Sequence, residues 1–251
     1  MDITQTFYNN LAPHYDKLFS DWNAESREQA DILKQIFENH GFDTTANILD
    51  CACGIGTQSI GLSRLGYRVT ASDISDAEIA EANRRAADMN LKIRFKNADF
   101  RYLSEVFTET FDIVIAMDNA LPHMLSSTEL ETAIKSIVNR IKSNGIFVGS
   151  IRDYDTILEN KPSYSPPYIH KTENGQRISF QTWDWNDDIY KFTQYIIVDN
   201  ESVSVNKFNC EYRATRREEM TNIFLSCGCQ NVTWLFPNET KFYQPIVVAM
   251  K

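Results

Sequence analysis

The residues that offer the most chemistry follow a short apolar segment that ends in two closely spaced glycines. Residues 47–52 are mainly apolar, and Gly54 and Gly56 come directly after them, before a segment with helical character. A strand that runs through Gly-x-Gly into a helix needs glycine where the backbone turns tightly and a ligand presses against it. In nucleotide-binding folds, that turn places the ligand at the carboxyl ends of the parallel strands.

Acidic residues at the ends of the next two predicted strands fit the same kind of ligand. Asp73 closes the second predicted strand (residues 69–73), where a carboxylate can accept hydrogen bonds from both hydroxyls of a ribose. Asp99 and Phe100 follow the third predicted strand, where a carboxylate and an aromatic ring can bracket an adenine. Each feature alone is weak, because aspartate also caps helices and closes turns. Together, in this order, they indicate an adenosyl-binding crevice.

The spacing after the glycines separates two classes of cofactor. Dinucleotide sites carry a third glycine, Gly-x-Gly-x-x-Gly, which lets the helix N-terminus approach a pyrophosphate. Ser59 occupies that position here, whereas S-adenosylmethionine has no phosphate and does not need the approach. Asp50, just before the turn, suits the cationic sulfonium and ammonium groups of that cofactor. The sequence therefore favours S-adenosylmethionine, with S-adenosylhomocysteine as product, and an NAD-dependent oxidoreductase is the disfavoured alternative.

The elements that must position these residues alternate between strands and helices. Strands are predicted at 68–72, 92–95, 111–117 and 145–151, with helices at 76–89 and 127–141 between them. This alternation indicates right-handed βαβ units. We expect an α/β fold: a Rossmann-like, seven-stranded, mostly parallel sheet with helices on both faces, plus an antiparallel β insertion after strand 5.

Three regions are predicted along the 251 residues. Residues 1–41 form an N-terminal helical cap, residues 42–151 and 214–251 form the core, and residues 152–213 form an inserted antiparallel β lid. The insertion contains no good helix, and its three β-like segments predict a three-stranded meander: 177–185, 189–198 and 203–212. A small sheet must cover its apolar face, so the insertion serves either as a lid or as a contact in a homo-oligomer.

Several stretches resemble known methyltransferases. LDCACGIGTQSIGLSRLGYRVTASDIS (49–75) resembles the first two motifs of class I methyltransferases, and the terminal strand pair resembles their extra antiparallel strand. Within that superfamily, AMDNALPHML (116–125) and SIRDYDTIL (150–158) are similar to the glycine and sarcosine N-methyltransferases. The resemblance covers roughly residues 44–160. It implies an S-adenosylmethionine-dependent enzyme that methylates a small molecule, on the amine nitrogen of a glycine- or sarcosine-like amino acid.

The resemblance also implies roles for individual residues. Arg152 follows the fifth strand and would grip the acceptor's carboxylate, for which a bidentate, permanently charged guanidinium is suited. Asn119 and His123 would lie beside the methyl group and the acceptor, and Tyr15 would fold over the sulfonium. Arg27 would bind the methionyl carboxylate of the cofactor. The complete set of cofactor-binding residues that we expect is Asp50, Ala52, Cys53, Gly54, Gly56, Thr57, Asp73, Ile74, Asp99, Phe100, Met117 and Arg27.

Each of these substrate-side residues also has a plainer interpretation. Arg152 could pair with Asp153 or Asp155 in a solvated loop, and Arg27 could form a surface i,i+4 pair with Asp31. Asn119 could cap a turn, His123 could be a loop histidine whose hydrogen bonds are satisfied, and Tyr15 could simply pack a helix. The sequence alone leaves these alternatives open.

Composition excludes several other functions. The net charge of −9 argues against nucleic acid and anionic membrane as partners, because the mean field repels phosphate. No secretory signal and no apolar stretch of about 20 residues is visible, so we expect a cytoplasmic protein. The five cysteines match neither a disulfide framework nor a zinc pattern, and no metal is expected.

Other functions stay open as alternatives. The residues after the fourth strand lack the N/D-P-P-Y/F tetrapeptide typical of methyltransferases that act on nucleobase or glutamine amines, which disfavours a macromolecular acceptor. A methyltransferase for another small molecule, with an oxygen or carbon acceptor, and a non-catalytic cofactor-binding domain are the remaining alternatives.

Overall fold

A seven-stranded sheet forms the centre of the protein, whose computed structural model describes residues 2–251. Its strands run in the order β10-β11-β5-β4-β1-β2-β3. The neighbours among β1–β5 are parallel, whereas β11 pairs antiparallel with both β5 and β10. The bounds are β1 Asn47–Asp50, β2 Arg68–Asp73, β3 Arg94–Asn97, β4 Phe111–Ala116, β5 Ile141–Ser150, β10 Asn231–Leu235 and β11 Ile246–Met250. The expected Rossmann-like, mostly parallel sheet is confirmed.

Eight helices accompany the strands of residues 2–251. Many of them begin where a side-chain oxygen caps free backbone N–H groups, as Asp21, Ser75 and Ser126 do. The bounds are α1 Ile3–Leu11, α2 Trp22–Asn39, α3 Thr57–Arg64, α4 Asp76–Asp88, α5 Ser127–Val138, α6 Tyr154–Asn160, α7 Arg217–Ser226 and α8 Pro237–Thr240, with 3-10 segments at Ala12–Leu18, Phe100–Glu105 and Leu121–His123. Met1, part of the predicted helical cap, lies outside the described residues.

Apolar residues cover both faces of the central sheet. Side chains alternate along a strand, so Ile48 joins a cluster with Leu33 and Phe37 of α2, while Leu49 joins the cluster on the opposite face with Ile134 of α5. A sheet that is buried on both faces needs continuous apolar segments. This is why β1 and β4 stood out in the sequence.

A second, four-stranded antiparallel sheet follows α6. Its strands are β6 Tyr168–Thr172, β7 Gly175–Asn186, β8 Ile189–Asp199 and β9 Val203–Arg213, in sequential order. The sheet packs on α1, where the ring of Phe7 lies 5.3 Å from that of Phe192 and 6.5 Å from that of Phe208. The N-terminal helix therefore connects the second sheet to the central one.

The structure corrects two details of the insertion. The predicted three-stranded meander has a fourth strand, β6, and the region expected to lack a helix contains α6. Strand β6 is mostly exposed, so it carries no alternating apolar pattern that would reveal it. Helix α6 has seven residues, too few for a clear periodicity, and forms because Asp153 caps it and Tyr154 is fully buried.

Candidate functional site

A first cavity opens at the carboxyl ends of β1–β4, where sequence analysis placed the adenosyl-binding crevice. Nine of the twelve predicted cofactor-binding residues line this first cavity: Ala52, Cys53, Gly54, Thr57, Asp73, Ile74, Asp99, Phe100 and Met117. Residues of α1 and the 3-10 segment that follows it complete the wall, among them Thr4, Tyr8 and Tyr15.

The glycine turn is tied to the neighbouring strand through Asp73. Gly54 and Gly56 have φ values of 52° and 90°, which favour glycine. The backbone N–H of Gly54 donates to Asp73 Oδ2 at 2.9 Å, and that of Ser75 donates to Asp73 Oδ1 at 2.9 Å. Each carboxylate oxygen has a second lone pair, so Asp73 keeps acceptor capacity toward the cavity that it lines.

Three predicted cofactor residues do not line the first cavity. Asp50 is buried beneath the turn, where it accepts a hydrogen bond from Ser59 Oγ at 2.6 Å, and its burial raises its pKa to about 7. Gly56 begins α3 and shapes the turn from outside the cavity. Arg27 is exposed on α2 and is not among the residues that line the first cavity.

The part of the first cavity that Asp99 and Phe100 line contains an ion pair that the sequence did not reveal. Arg101 donates to Asp99 Oδ2 through Nε at 2.8 Å and through Nη2 at 2.6 Å. The same guanidinium reaches Asp2 Oδ2 at 2.9 Å. Since Asp2 caps α1, this arginine fastens the N-terminal helix to the edge of the cavity. The sequence gave no pattern that would have paired Arg101 with Asp2, because 99 residues separate them.

A second cavity adjoins the first and is closed by the N-terminal segment and the second sheet. Its wall includes Arg152, Asn119, Gln181, Gln194 and Tyr212. Three side chains line both cavities, and they form what we call the shared wall: Tyr8, Tyr15 and Asp118. Of the four predicted substrate-positioning residues, the second cavity collects Tyr15, Asn119 and Arg152, whereas His123 lines the first.

Arg152 is held by neutral groups. Its guanidinium donates to Tyr190 Oη at 2.7 Å and to Gln181 Oε1 at 2.9 Å, and it lies 5.1 Å and 5.3 Å from the ring centres of Trp183 and Tyr212.

The plainer interpretation of Arg152, pairing with Asp153 or Asp155, is wrong. Those carboxylates pair with Arg217, and among residues 2–251 no ion pair includes Arg152. Within those residues, the guanidinium of Arg152 therefore lines the second cavity without a carboxylate in ion-pair contact.

Asn119 uses its side-chain amide to hold the site together. Its Nδ2 donates to Tyr154 Oη at 2.9 Å, and its Oδ1 accepts from the backbone N–H of Arg152 at 3.0 Å. Both ends of the buried amide are therefore satisfied by the protein. The geometry makes Asn119 a residue that positions Arg152.

His123 is a buried, neutral imidazole. Its Nδ1 lies 3.2 Å from the carbonyl oxygen of Glu211, which can only accept, so Nδ1 carries the proton. Nε2 then accepts a hydrogen bond from Tyr8 Oη at 2.9 Å. Burial lowers the pKa of His123 to about 3. With both nitrogens engaged, His123 joins α1 to β9, as the plainer interpretation of this histidine anticipated.

Asp118 is a site residue that sequence reasoning missed. Asp118 and Asn119 have φ values of 56° and 71°, a strained left-handed turn that concentrates at functional sites. Ser150 clamps this turn, since its Oγ accepts from Asp118 N at 2.8 Å and its carbonyl accepts from Asn119 N at 3.0 Å. The sequence offered one indication of this residue, which is its position: Asp118 directly follows Met117 and lies two residues after the end of β4.

Comparison with known proteins agrees with this geometry. Residues 48–145 match the methyltransferase-domain family. A glycine/sarcosine N-methyltransferase of Parasynechococcus marenigrum is 30% identical over 155 residues, which cover 62% of this chain and 54% of that protein. A glycine/sarcosine N-methyltransferase of Halorhodospira halochloris is 23% identical, with 85% of this chain and 77% of that protein covered. The chain thus spans only about half of the first relative.

Solved structures show the same fold. An S-adenosylmethionine-dependent methyltransferase from Clostridium acetobutylicum superposes with a TM-score of 0.75 at 19% identity, covering 97% of both chains. The amino pentose methyltransferase CalS10 of Micromonospora echinaspora, solved with S-adenosylmethionine bound, gives a TM-score of 0.74 at 15% identity, covering 90% of this chain and 91% of its own. Together, the domain match at residues 48–145, the relatives and the solved structures support a class I S-adenosylmethionine-dependent methyltransferase. The methyl donor of this class is S-adenosylmethionine.

Among residues 2–251, no helix is long and apolar enough to cross a membrane. Over the same residues, no group of three or more histidine, cysteine, aspartate or glutamate side chains is arranged to hold a metal ion.

Proposed function

We propose that the protein transfers a methyl group from S-adenosylmethionine to the amine nitrogen of a small amino acid of the glycine or sarcosine type. One observation carries this proposal: the second cavity contains the unpaired guanidinium of Arg152 and meets the first cavity at the shared wall. An acceptor whose carboxylate pairs with Arg152 would extend its other end toward the methyl donor. The names of the relatives support the same substrate class.

In this proposal the cofactor occupies the first cavity. Asp73 accepts hydrogen bonds from the ribose, Asp99 and Phe100 bracket the adenine, and Tyr15 covers the sulfonium from the shared wall. The turn at Gly54 requires glycine, because its φ of 52° is left-handed and a Cβ there would lie only 2.8 Å from Glu78 Oε2. Residues without a direct contact, such as Asp50, act by supporting the turn.

The chemistry then depends mainly on alignment. Methyl transfer is an in-line displacement at carbon, so the protein must hold the nitrogen lone pair against the methyl group and exclude water. Arg152 would bind the acceptor's carboxylate bidentately, and Asn119 would hold the backbone of Arg152 in place. Residues 1–41 and the insertion 152–213 would close over the acceptor.

An amino sugar is the second acceptor class worth testing. CalS10 is an amino pentose methyltransferase, and another structure of the same fold is the sugar N-methyltransferase KedS8. An amino sugar offers no carboxylate to Arg152, which is why amino acids are the first choice.

The test is a panel of acceptors with isotope-labelled S-adenosylmethionine, read by mass spectrometry. It contains glycine, sarcosine, larger amino acids, amino sugars, and hydroxyl and carbon acceptors. We expect transfer to small amino acids. Transfer only to hydroxyl or carbon acceptors would reject the nitrogen assignment, and transfer only to amino sugars would reject the role of Arg152. Cofactor binding without transfer to any acceptor would favour a non-catalytic domain.

A further inference from the structure

Asp118 is the one carboxylate that lines both cavities, among the residues that the structure describes. It comes two residues after β4 ends, in the strained turn held by Ser150, so the backbone fixes its direction. Tyr243 Oη donates to Asp118 Oδ1 at 2.8 Å, and Gln58 Nε2 donates to Asp118 Oδ2 at 2.7 Å. Two neutral donors therefore orient the carboxylate without neutralising it.

The position of Asp118 complements that of Arg152. Both residues line the second cavity, but only Asp118 also lines the first. A zwitterionic amino acid between them would place its carboxylate on the guanidinium and its ammonium on the carboxylate next to the methyl donor. Opposite charges on the wall of one cavity give both affinity and a single orientation.

We propose that Asp118 is a catalytic residue that binds the acceptor's ammonium group and takes one of its protons before methyl transfer. This inference rests on the proposed function, because it assumes an amine acceptor in the second cavity. An ammonium has no free lone pair and cannot attack. A base held at the point of attack removes this obstacle.

In the proposed step, one N–H bond of the ammonium breaks and its proton moves to a carboxylate oxygen of Asp118. The free lone pair forms the new C–N bond as the C–S bond breaks, and the sulfonium's positive charge passes to the methylated ammonium product. The neutral thioether S-adenosylhomocysteine leaves, and Asp118 returns its proton to solvent.

The surroundings of Asp118 make its carboxylate a stronger base than that of an exposed aspartate. Burial raises its pKa, and the hydrogen bonds from Gln58 and Tyr243 oppose this only in part. Other ionisable groups face it from three elements: Tyr15 from the 3-10 segment, Glu25 from α2 and Asp50 from β1.

The acids among these neighbours favour the protonated form of Asp118, in the same direction as burial. Arg152, which lines the same cavity, carries the opposite charge. A general base is most effective when its pKa lies near the working pH.

The test compares pH profiles of kcat/KM for the amino acid that the wild type methylates fastest. Asp118→Asn keeps the shape and tolerates the left-handed turn, but its amide cannot take a proton. We expect activity near pH 7 to fall about 100-fold. Between pH 7 and 9, kcat/KM of the variant should rise about tenfold per pH unit, because only acceptor that is already neutral reacts, whereas the wild type should be nearly flat.

Two other variants make the comparison specific. Asp184→Asn, an exposed residue of β7, makes the same charge change and should behave like the wild type. Glu25→Gln alters the other carboxylate of the second cavity. If Glu25→Gln, and not Asp118→Asn, acquires the tenfold slope, the assignment of the base to Asp118 is overturned.

A binding measurement distinguishes the loss of the Asp118 carboxylate from a folding defect of the variant. With S-adenosylhomocysteine bound, the wild type should bind glycine more tightly than acetate, which has no nitrogen. In Asp118→Asn, the ratio of these two affinities should fall about tenfold, while the affinity for acetate stays unchanged. If the wild type is active and Asp118→Asn shows the same pH profile and the same preference for glycine, the inference about Asp118 is overturned, whereas the proposed function stands. A wild type that methylates no amine rejects the proposed function, and the inference with it.

Discussion

The two cavities are built in different ways. The first cavity uses residues that directly follow the strands of one sheet, so Gly54, Asp73 and Asp99 reach it through short local turns. The second cavity joins α1, the turn after β4 and the second sheet, so that Tyr15 and Tyr212 meet only through tertiary packing. The difference teaches that the first cavity is encoded locally, whereas the second cavity depends on how distant segments pack against each other.

The largest expected effect separates the two cavities. Arg152→Ala should raise the KM of a carboxylate-bearing acceptor by about 1000-fold, equivalent to about 4 kcal/mol, since it removes a charged, hydrogen-bonded contact from a closed cavity. The affinity for S-adenosylhomocysteine should stay within about twofold, because Arg152 does not line the first cavity. Steady-state kinetics and calorimetric titration measure the two quantities.

Two further variants sharpen that comparison. Arg152→Lys keeps the charge but not the planar fork, and should lie between alanine and the wild type. Arg216→Ala removes an exposed arginine and serves as the control. Equal losses of acceptor and cofactor binding in Arg152→Ala would mean that the fold has collapsed, and would end the distinction between the cavities.

The next effect tests how the N-terminal helix and the second sheet are joined. The pKa of His123 is about 3 in the folded protein, below the usual value of about 6.5 in an unfolded chain. Between these values the unfolded chain binds the proton better, so the folding contribution of His123 is complete above pH 6.5 and is lost as the pH falls. From pH 6.5 to pH 4 we expect a loss of about 3 kcal/mol of unfolding free energy.

Urea unfolding over this pH range would measure the effect. The difference between the wild type and His123→Gln isolates the buried ring, because other titrating groups, Asp50 included, are common to both proteins. The pH slope should be shallower in the variant, and His40→Gln is the matched substitution at the end of α2. Identical acid slopes in the wild type and His123→Gln would contradict a buried neutral imidazole.

A smaller effect is expected on the donor side. Asp73→Ala removes the carboxylate that ties the glycine turn to β2 and faces the first cavity. We expect the affinity for S-adenosylhomocysteine to fall about 30-fold, about 2 kcal/mol, as for hydrogen bonds to a charged group. Asp31→Ala, an exposed position on α2, is the control in the same titration. Unchanged affinity in Asp73→Ala would place the ribose elsewhere.

The smallest effect concerns Arg27. Because its side chain is exposed on α2 and does not line the first cavity, Arg27→Ala should change the affinity for S-adenosylhomocysteine by less than about twofold. The resemblance to known methyltransferases implied a contact with the cofactor's carboxylate. A loss of tenfold or more in a titration would restore that interpretation and show that α2 moves toward the crevice when the cofactor binds.

The sequence revealed the fold more completely than the site. The β-strands of the core were predictable because strands buried on both faces need unbroken apolar segments, as in β4. The sequence did not predict β6, because this strand is mostly exposed, and it did not predict α6, because this helix is short. Pattern arguments depend on burial that repeats over many residues, so brief or solvated elements leave little trace.

What the sequence determined by itself is part of the wall of the first cavity: the left-handed turn at Gly54 and Gly56, and the acid at the end of β2, are properties of a few neighbouring residues. Tertiary structure alone decided that Arg152 has no ion-pair partner within residues 2–251, that His123 is enclosed between Tyr8 and Glu211, and that Asp118 belongs to both cavities. The reason is that charge, protonation and accessibility depend on partners from distant parts of the chain, such as the 115 residues that separate Tyr8 from His123.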